Sequence, residues 1–347
     1  MERNKERAQM LDLMQQPAFC VESGVISHIN PAAGHLLLTV GQSIAPLLAS
    51  GQEEYSDFSG CLQLQLRIGG QLLDASVIRY EDADIFLPDT VTVDERFRIL
   101  SLASMQLRTP LAGLTAVVDQ LLPDTDPLQA GQANRRIHQI LRILSNMSDV
   151  QRFGNRNTCR MEFTEVCSFL GEILEKAVTT LELAQFQIEA QLPDSPIYTL
   201  LDREQIERSF YNLLSNALKY HLSDSKILLQ LRQNGQRLYL SVTNQSPVAP
   251  VHNFYDRFLR EPRLEDPSQG LGLGMVLVRC AAANHGGAVL IDQPNPGYTR
   301  VTMTLAIEQH RTDMLRSPIL RLDYTGERDH CLFELSDVLP TELYRIE

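Results

Sequence analysis

The strongest constraint on the fold is a long apolar repeat between residues 93 and 122. Apolar residues recur there at three- and four-residue steps, the pattern of an amphipathic helix with a heptad seam. They are Phe97, Leu100, Ala103, Leu107, Leu111, Leu114, Val118 and Leu121. Residues 123–127 predict the end of this helix, and a second amphipathic helix follows it. Because a two-helix hairpin leaves apolar surface uncovered, we expect residues 93–155 to form a dimeric four-helix bundle.

Residues 1–90 carry the signals of a short helix followed by a small mixed unit. Residues 1–16 predict a polar helix. In residues 17–90, a turn at Gly24 separates two predicted strands, and Gly69 and Gly70 predict the turn of a hairpin. The order of elements and the string G-x-I-x-x-I-N-P-A-A at residues 24–33 resemble a PAS sensor domain. We therefore expect residues 17–90 to be PAS-like.

Residues 160–307 alternate between predicted helices and strands. This alternation favours an α/β sandwich with helices on one face of a mixed sheet. Residues 311–347 form a C-terminal extension to which the sequence assigns no role. The fold class is therefore multidomain α+β.

The charge balance narrows the possible partners. The chain has 43 acidic and 31 basic residues and a formal net charge of -12, which disfavours binding to nucleic acid or to an anionic membrane surface. No run approaches the ~20 apolar residues that span a bilayer, and the N-terminus has no apolar signal core. We expect a cytoplasmic protein that does not insert into membranes.

Several motifs occur in a fixed order along residues 94–307. They are SLASMQLRTPLAGL, NLLSNALKY, SVTNQSPV, FYDRF and SQGLGLGMVLVRCAAANHGG. They resemble the H-box, N-box, G1 box, F-box and G2 box of sensor histidine kinases. The resemblance implies a phosphoacceptor-type helical hairpin and an ATP-binding sandwich of the GHKL (Bergerat) type. It also implies a role in a two-component phosphorelay, a homodimer, and a response regulator or a partner histidine kinase as binding partner.

The H-box departs from the family at the position that carries the chemistry. Met105 aligns with the phosphoacceptor histidine, and Gln106 aligns with its acidic neighbour. A neutral imidazole attacks the γ-phosphate while a carboxylate takes its proton. A thioether has no proton to lose, and a carboxamide is not a base. The sequence therefore predicts a pseudokinase that does not phosphorylate itself on the usual residue.

Nucleotide binding is a separate prediction. By resemblance, Asn212 and Asn216 hold Mg²⁺ and phosphates, while Lys219 and Tyr220 contact the nucleotide. The two asparagines are four residues apart and share a helical face, and carboxamide oxygens suit Mg²⁺. The remnant of the phosphate loop consists of Gly270, Gly272 and Gly274, because glycine lets backbone amides approach phosphate.

The G1 box weakens this prediction. Asn244 stands where the family has an aspartate that reads adenine, and an uncharged acceptor binds the adenine amine less strongly. Ser246 and Val248 replace glycines in the same box. Modest ATP binding and no ATP binding both remain open.

The sequence is compatible with three functions. The first is a pseudo-histidine kinase that acts by binding other two-component proteins. The second is an active kinase or phosphatase acting on a response regulator, with Thr109 at the family's position for orienting water. The third is an interaction module that works without nucleotide.

Overall fold

The structure is a computed structural model, which describes residues 2–80, 82–89, 93–122, 125–154, 158–222, 225–246, 273–308 and 329–345. Its first unit contains α1 (Glu2–Asp12), β1 (Phe19–Glu22), β2 (Val25–Ile29), α2 (Gln52–Ser56), β3 (Cys61–Ile68), β4 (Gln71–Tyr80) and β5 (Ala83–Pro88). Short 3-10 turns span Pro31–Ala33 and Ala45–Leu47.

The turns predicted in this unit are confirmed, and each has a local cause. Gly24 has a φ of 77°, and Gly69 and Gly70 have φ values of 57° and 83°, a region that glycine enters without steric cost. The Asn30 side chain accepts a hydrogen bond from the Ala33 amide and caps the 3-10 turn that follows.

The helical hairpin consists of α3 (Val93–Leu121) and α4 (Pro127–Gly154). The residues of the predicted heptad seam are not all buried within the chain. Leu111 is buried against α4, whereas Leu107, Leu114 and Leu121 are 52%, 56% and 61% exposed. The α3 face that is buried within the chain instead includes Ser104. The apolar stripe at heptad spacing is thus left on the surface of the single chain.

The rest of the chain contains the predicted alternation of helices and strands. It comprises β6 (Glu162–Glu165), α5 (Val166–Leu183), β7 (Gln187–Gln191), β8 (Tyr198–Leu201), α6 (Arg203–Lys219), β9 (Lys226–Asn234), β10 (Arg237–Gln245), α7 (Leu273–Asn284), β11 (Val289–Asp292) and β12 (Tyr298–Ala306). The C-terminal extension contributes α8 (His330–Glu334) and a 3-10 turn at Thr341–Tyr344.

Within the described residues, ten strands form one mixed sheet in the order β2-β1-β5-β4-β3-β11-β12-β10-β9-β7. All neighbours are antiparallel except β7 and β9. The strands of residues 19–88 join those of residues 187–306 in this sheet through the pairing of β3 with β11, in which Leu62 is opposite Leu290. The sequence did not predict that β3 pairs with β11.

The period-two alternation of the strands divides the apolar residues between two cores. Cys20, Ile78 and Ile85 face the main core, which also contains the apolar faces of α5, α6 and α7. Their neighbours Phe19 and Phe86 stack with ring centroids 4.8 Å apart in a second core on the opposite face. In the part of the chain that the structure describes, no helix has the length and apolar character needed to cross a bilayer.

Candidate functional site

The site is built on α6, whose first turn is fixed by two contacts. The Asp202 carboxylate accepts a hydrogen bond from the Gln205 amide at 3.1 Å and caps the helix. The Asp202 amide in turn donates to His285 Nε2 at 2.9 Å, just after the end of α7. Asn284 joins a third helix, because its Nδ2 donates to the Phe153 carbonyl of α4 at 2.8 Å and to Gln205 Oε1 at 3.0 Å. The helices α4, α6 and α7 therefore meet at this point.

One face of α6 carries a row of polar side chains, called here the α6 polar strip. It consists of Arg208, Asn212, Asn216 and Lys219. At 100° per residue these four positions fall within about 80° of the helix circumference. The sequence-based prediction that Asn212 and Asn216 share one helical face agrees with this placement.

Asn212 is at the centre of the strip and is buried, with 3% of its surface exposed. Its Nδ2 donates to the Arg208 carbonyl at 2.8 Å, and its Oδ1 accepts from Arg142 Nη2 of α4 at 3.4 Å. Gly274 approaches from α7 so closely that an added Cβ atom would be 2.6 Å from Asn212 Oδ1. The structure thus brings Asn212 and Gly274 together, which is the close approach for which a glycine is required.

The remaining N-box positions differ in their surroundings. The Lys219 ammonium donates to Asp337 Oδ2 at 2.9 Å. Tyr220 ends α6 and is 44% exposed. Asn216 is half-buried. The strip therefore presents carboxamide and ammonium groups along one line, with its lysine already held by a carboxylate.

The other predicted binding residues are only partly described. Asn244 is buried near the end of β10, and its Nδ2 donates to the Gln245 carbonyl at 3.3 Å. This strand packs against α6. Gly270 and Gly272 lie outside the described residues, as does Val248.

The residues predicted to correspond to an H-box lie on α3. Met105 is 61% exposed, and Gln106 and Thr109 are exposed beside it. Thr109 follows Met105 by four residues and lies about 40° from it around the helix. Leu273 of α7 packs against a cluster that contains Leu111, and Met105 is not a member of that cluster.

An ionic cluster beside the strip was missed by the sequence analysis. Arg208 Nη2 contacts Asp149 Oδ2 at 2.8 Å and Arg208 Nη1 contacts Glu334, while Arg142 Nη1 donates to Asp337 Oδ2 at 2.7 Å. Burial alone would lower the pKa of Arg208, but the charges of Glu334 and Asp149 hold it above its ordinary value. The one signal in the sequence is two acidic residues, three apart, inside the apolar run at 331–339.

Comparison with known proteins places this site in a family. Residues 201–309 match the family described as histidine kinase-, DNA gyrase B-, and HSP90-like ATPase. The sensor histidine kinase WalK of Bacillus subtilis is 24% identical over 232 residues, which cover 63% of this chain and 38% of that protein. The adaptive-response sensory kinase SasA of Parasynechococcus marenigrum is 26% identical over 255 residues, covering 71% of this chain and 64% of that protein. The solved structure of full-length ShkA in complex with AMPPNP is similar with a TM-score of 0.47 and 20% identity, covering 61% of this chain and 46% of that one.

The chain spans between 38% and 64% of the length of these two curated relatives. The family match begins at the end of β8 and runs through β12, so it includes α6 with its polar strip and Asn244. Residues 201–309 thus match the histidine kinase-, DNA gyrase B-, and HSP90-like ATPase family, and the chain is similar in sequence to sensor histidine kinases.

Proposed function

We propose that this protein binds ATP and acts in two-component signalling without phosphorylating itself at the usual position. The observation that carries the proposal is Met105, whose thioether is 61% exposed on α3 where the family has its phosphoacceptor histidine. A phosphoacceptor must reach the γ-phosphate from the surface of the hairpin, and Met105 has that exposure. The position is open, but the nucleophile is absent.

The chemistry follows from the two side chains. Phosphoryl transfer to nitrogen needs a lone pair that becomes a stable N–P bond and a base that accepts the ring proton. The sulfur of Met105 forms no stable phosphoryl adduct under these conditions. Gln106 is exposed beside it, but a carboxamide accepts no proton near neutral pH.

The α6 polar strip fits the nucleotide in this proposal. Carboxamide oxygens of Asn212 and Asn216 would hold Mg²⁺, which prefers oxygen ligands, and Lys219 would bind a phosphate oxygen. The close approach of Gly274 to Asn212 Oδ1 leaves no room for a side chain between α7 and the strip. Bound Mg-ATP would supply the transferable phosphoryl group. Asn244 would accept from the adenine amine without a charge, so binding is weaker than with an aspartate.

The exposed stripe on α3 supports a homodimer. Leu107, Leu114 and Leu121 are each more than half exposed and repeat every seven residues. A second copy of the hairpin would cover them in a four-helix bundle. A response regulator or a partner histidine kinase is the proposed signalling partner.

Restoration of the missing pair tests the proposal. The double variant Met105→His, Gln106→Glu supplies an imidazole and a carboxylate, so Mg-ATP labelled in the γ-phosphate should give it an acid-labile label. The matched control Met105→Gln, Gln106→Glu has the carboxylate but no nucleophile and should stay unlabelled. Acid-labile label on the wild-type chain would show that it phosphorylates itself and would overturn the proposal.

A second candidate function is a phosphatase for a response regulator. Its support is the hydroxyl of Thr109, which is exposed one turn after Met105. This position suits a group that orients water at a docked phosphoaspartate. Thr109→Ala should then slow the loss of phosphate from the regulator, whereas Thr109→Ser should preserve it. A decay rate that is the same with and without the wild-type chain would exclude this activity.

A further inference from the structure

The C-terminal segment, residues 329–345, folds back over the helices that carry the candidate site. Asp329 caps α8 by accepting from the Leu332 amide at 3.0 Å. The Tyr344 hydroxyl closes the segment on itself by donating to the Leu332 carbonyl at 2.7 Å. Its apolar side chains are buried in the main core; they are Cys331, Leu335, Leu339 and Tyr344. The segment is therefore an ordered part of the molecule.

Helix α4 holds the backbone of this segment. Arg135 donates to the carbonyls of Ser336 at 3.2 Å and Asp337 at 3.3 Å. Gln139 donates to the same Ser336 carbonyl at 3.0 Å. The side chain of Asn134, which directly precedes Arg135, donates to the Tyr344 carbonyl at 3.1 Å. The side chains of α4 thus hydrogen-bond to the main chain of the segment, as a protein surface does to a bound peptide.

The segment places two carboxylates against the α6 polar strip. Glu334 is fully buried against Arg208. Asp337 accepts from Lys219 at 2.9 Å and from Arg142 at 2.7 Å, and Arg142 also donates to Asn212. Without the segment, Arg208 would keep the Asp149 carboxylate, whereas Arg142 and Lys219 would both lose the Asp337 carboxylate that they contact. A surplus of positive charge beside two asparagines is an anion-binding surface.

This arrangement is not fully hydrogen-bonded. Arg142 Nε and Glu334 Oε2 are 3.8 Å apart, beyond hydrogen-bond distance. Both atoms are buried without a hydrogen-bond partner, as is Ser336 Oγ. Buried polar atoms without partners offset part of the stabilisation that the other contacts provide. A ligand that satisfies the same cations is therefore able to compete with the segment.

We propose that residues 329–345 are an internal competitor for the nucleotide, with the Asp337 carboxylate occupying the Lys219 ammonium that binds phosphate. The proposal rests on the proposed binding of ATP to the α6 polar strip. Nucleotide binding then releases Asp337 from Lys219, and conditions that loosen the segment from α4 increase the affinity for nucleotide. The exchange is non-covalent and needs no further reactant.

The test measures the Kd of a fluorescent ATP analogue with Mg²⁺ on the full chain and on three variants. Asp337→Asn keeps the shape of the side chain but removes its charge, and it should bind about tenfold more tightly. Arg135→Ala loosens the segment from the α4 side without touching Lys219, and it should also tighten binding. Glu342→Gln removes one charge from an exposed position of the same segment and should leave the Kd unchanged. Thermal unfolding of each variant verifies that it is folded.

The outcomes separate the competing explanations. Tighter binding in both Asp337→Asn and Arg135→Ala supports the proposal. Tighter binding in Asp337→Asn alone would be explained by the lost negative charge, and it would overturn the proposal that nucleotide displaces the segment. Equal affinities in all variants would overturn the proposal that residues 329–345 compete with nucleotide, but would leave the proposed ATP binding intact. Absence of binding in the wild-type chain and in every variant would overturn both proposals. In hydrogen exchange on the wild-type chain, saturating Mg-ATP should reduce the protection of amides 330–344; unchanged protection would contradict displacement.

Discussion

Replacing Gly274 with alanine probes the contact between α7 and the α6 polar strip. The new Cβ atom would lie 2.6 Å from Asn212 Oδ1 and 3.2 Å from Asn212 Cγ, so the carboxamide has to move. Its movement breaks the hydrogen bonds to the Arg208 carbonyl and from Arg142. A buried carboxamide that loses its partners costs roughly 1–3 kcal/mol.

The helix itself contributes an opposite effect. Alanine in place of glycine within a helix stabilises by about 0.5–1 kcal/mol. The net change for Gly274→Ala is therefore a loss of roughly 0–2.5 kcal/mol in the free energy of unfolding, with a central value of about 1 kcal/mol. Gly171 of α5 provides the matched control, because an added Cβ there would meet only Leu192 Cδ1 at 4.0 Å. Gly171→Ala should stabilise by the helical amount alone.

A double-mutant cycle isolates the contact from the helix propensity. In an Asn212→Ala background the obstructing carboxamide is gone, so adding Gly274→Ala should stabilise the chain. The free energy of unfolding is measured by urea denaturation, with the tyrosine signal and far-UV circular dichroism as separate probes. Stabilisation of the wild-type chain by Gly274→Ala to the same extent as by Gly171→Ala would refute the close approach.

Three further perturbations test other parts of the structure. In analytical sedimentation, the Leu114→Lys variant should be a monomer, whereas the Ala116→Lys variant, changed on the opposite face of α3, should remain a dimer. If both variants remain dimeric, the proposed four-helix bundle is contradicted. Glu165 accepts from the Cys167 and Ser168 amides at the start of α5 and from the Ile197 amide just before β8. Burial alone would raise its pKa, but hydrogen bonds hold the pKa below its ordinary value. Glu165→Gln should therefore lower the free energy of unfolding by about 1 kcal/mol at pH 7. A carboxylate whose pKa is lowered by folding stabilises the folded state fully only above its unfolded-state pKa, so the difference between the two proteins should disappear as the pH falls through the folded-state pKa. A difference that persists at low pH would contradict this explanation. Gly60→Ala, whose Cβ would be 2.4 Å from a carbonyl oxygen of β11, should destabilise by about 2 kcal/mol more than Gly70→Ala, which has a similar positive φ but nothing within 4 Å; equal effects would contradict the pairing of β3 with β11.

Features with a local cause were predictable from the sequence. The turns at Gly24, Gly69 and Gly70 need only a few adjacent residues, and the structure confirms them. The common face of Asn212 and Lys219 follows from helix geometry. Periodicity is less informative about which neighbour covers an apolar residue. Leu107 and Leu111 belong to one heptad pattern, yet only Leu111 packs within the chain.

The contacts that were missed join distant parts of the chain. Arg135 and Ser336 are 201 residues apart, and Lys219 and Asp337 are 118 apart. Neither pair has a local pattern that identifies its partner. The pairing of β3 with β11 is similar, because a strand's alternation predicts its two faces and not the strand beside its edge. The sequence therefore placed Asn212 and Asn216 on one helical face and left open what lies against them.

Helix α4 connects the separate parts of this molecule. Through Leu144 it packs against α3 in the hairpin, and through Arg142 it contacts both Asn212 of the strip and Asp337 of the C-terminal segment. A shift of α4 along or about its axis would change all three contacts together, because the interior is closely packed. Because Arg142 lies on α4 and contacts Asn212 of α6, the proposed partner on the bundle and the proposed nucleotide on α6 would act on one shared side chain. Coupling between them would then be reciprocal: a partner that holds α4 in the position seen here should weaken nucleotide binding, and bound nucleotide should weaken that partner by the same factor.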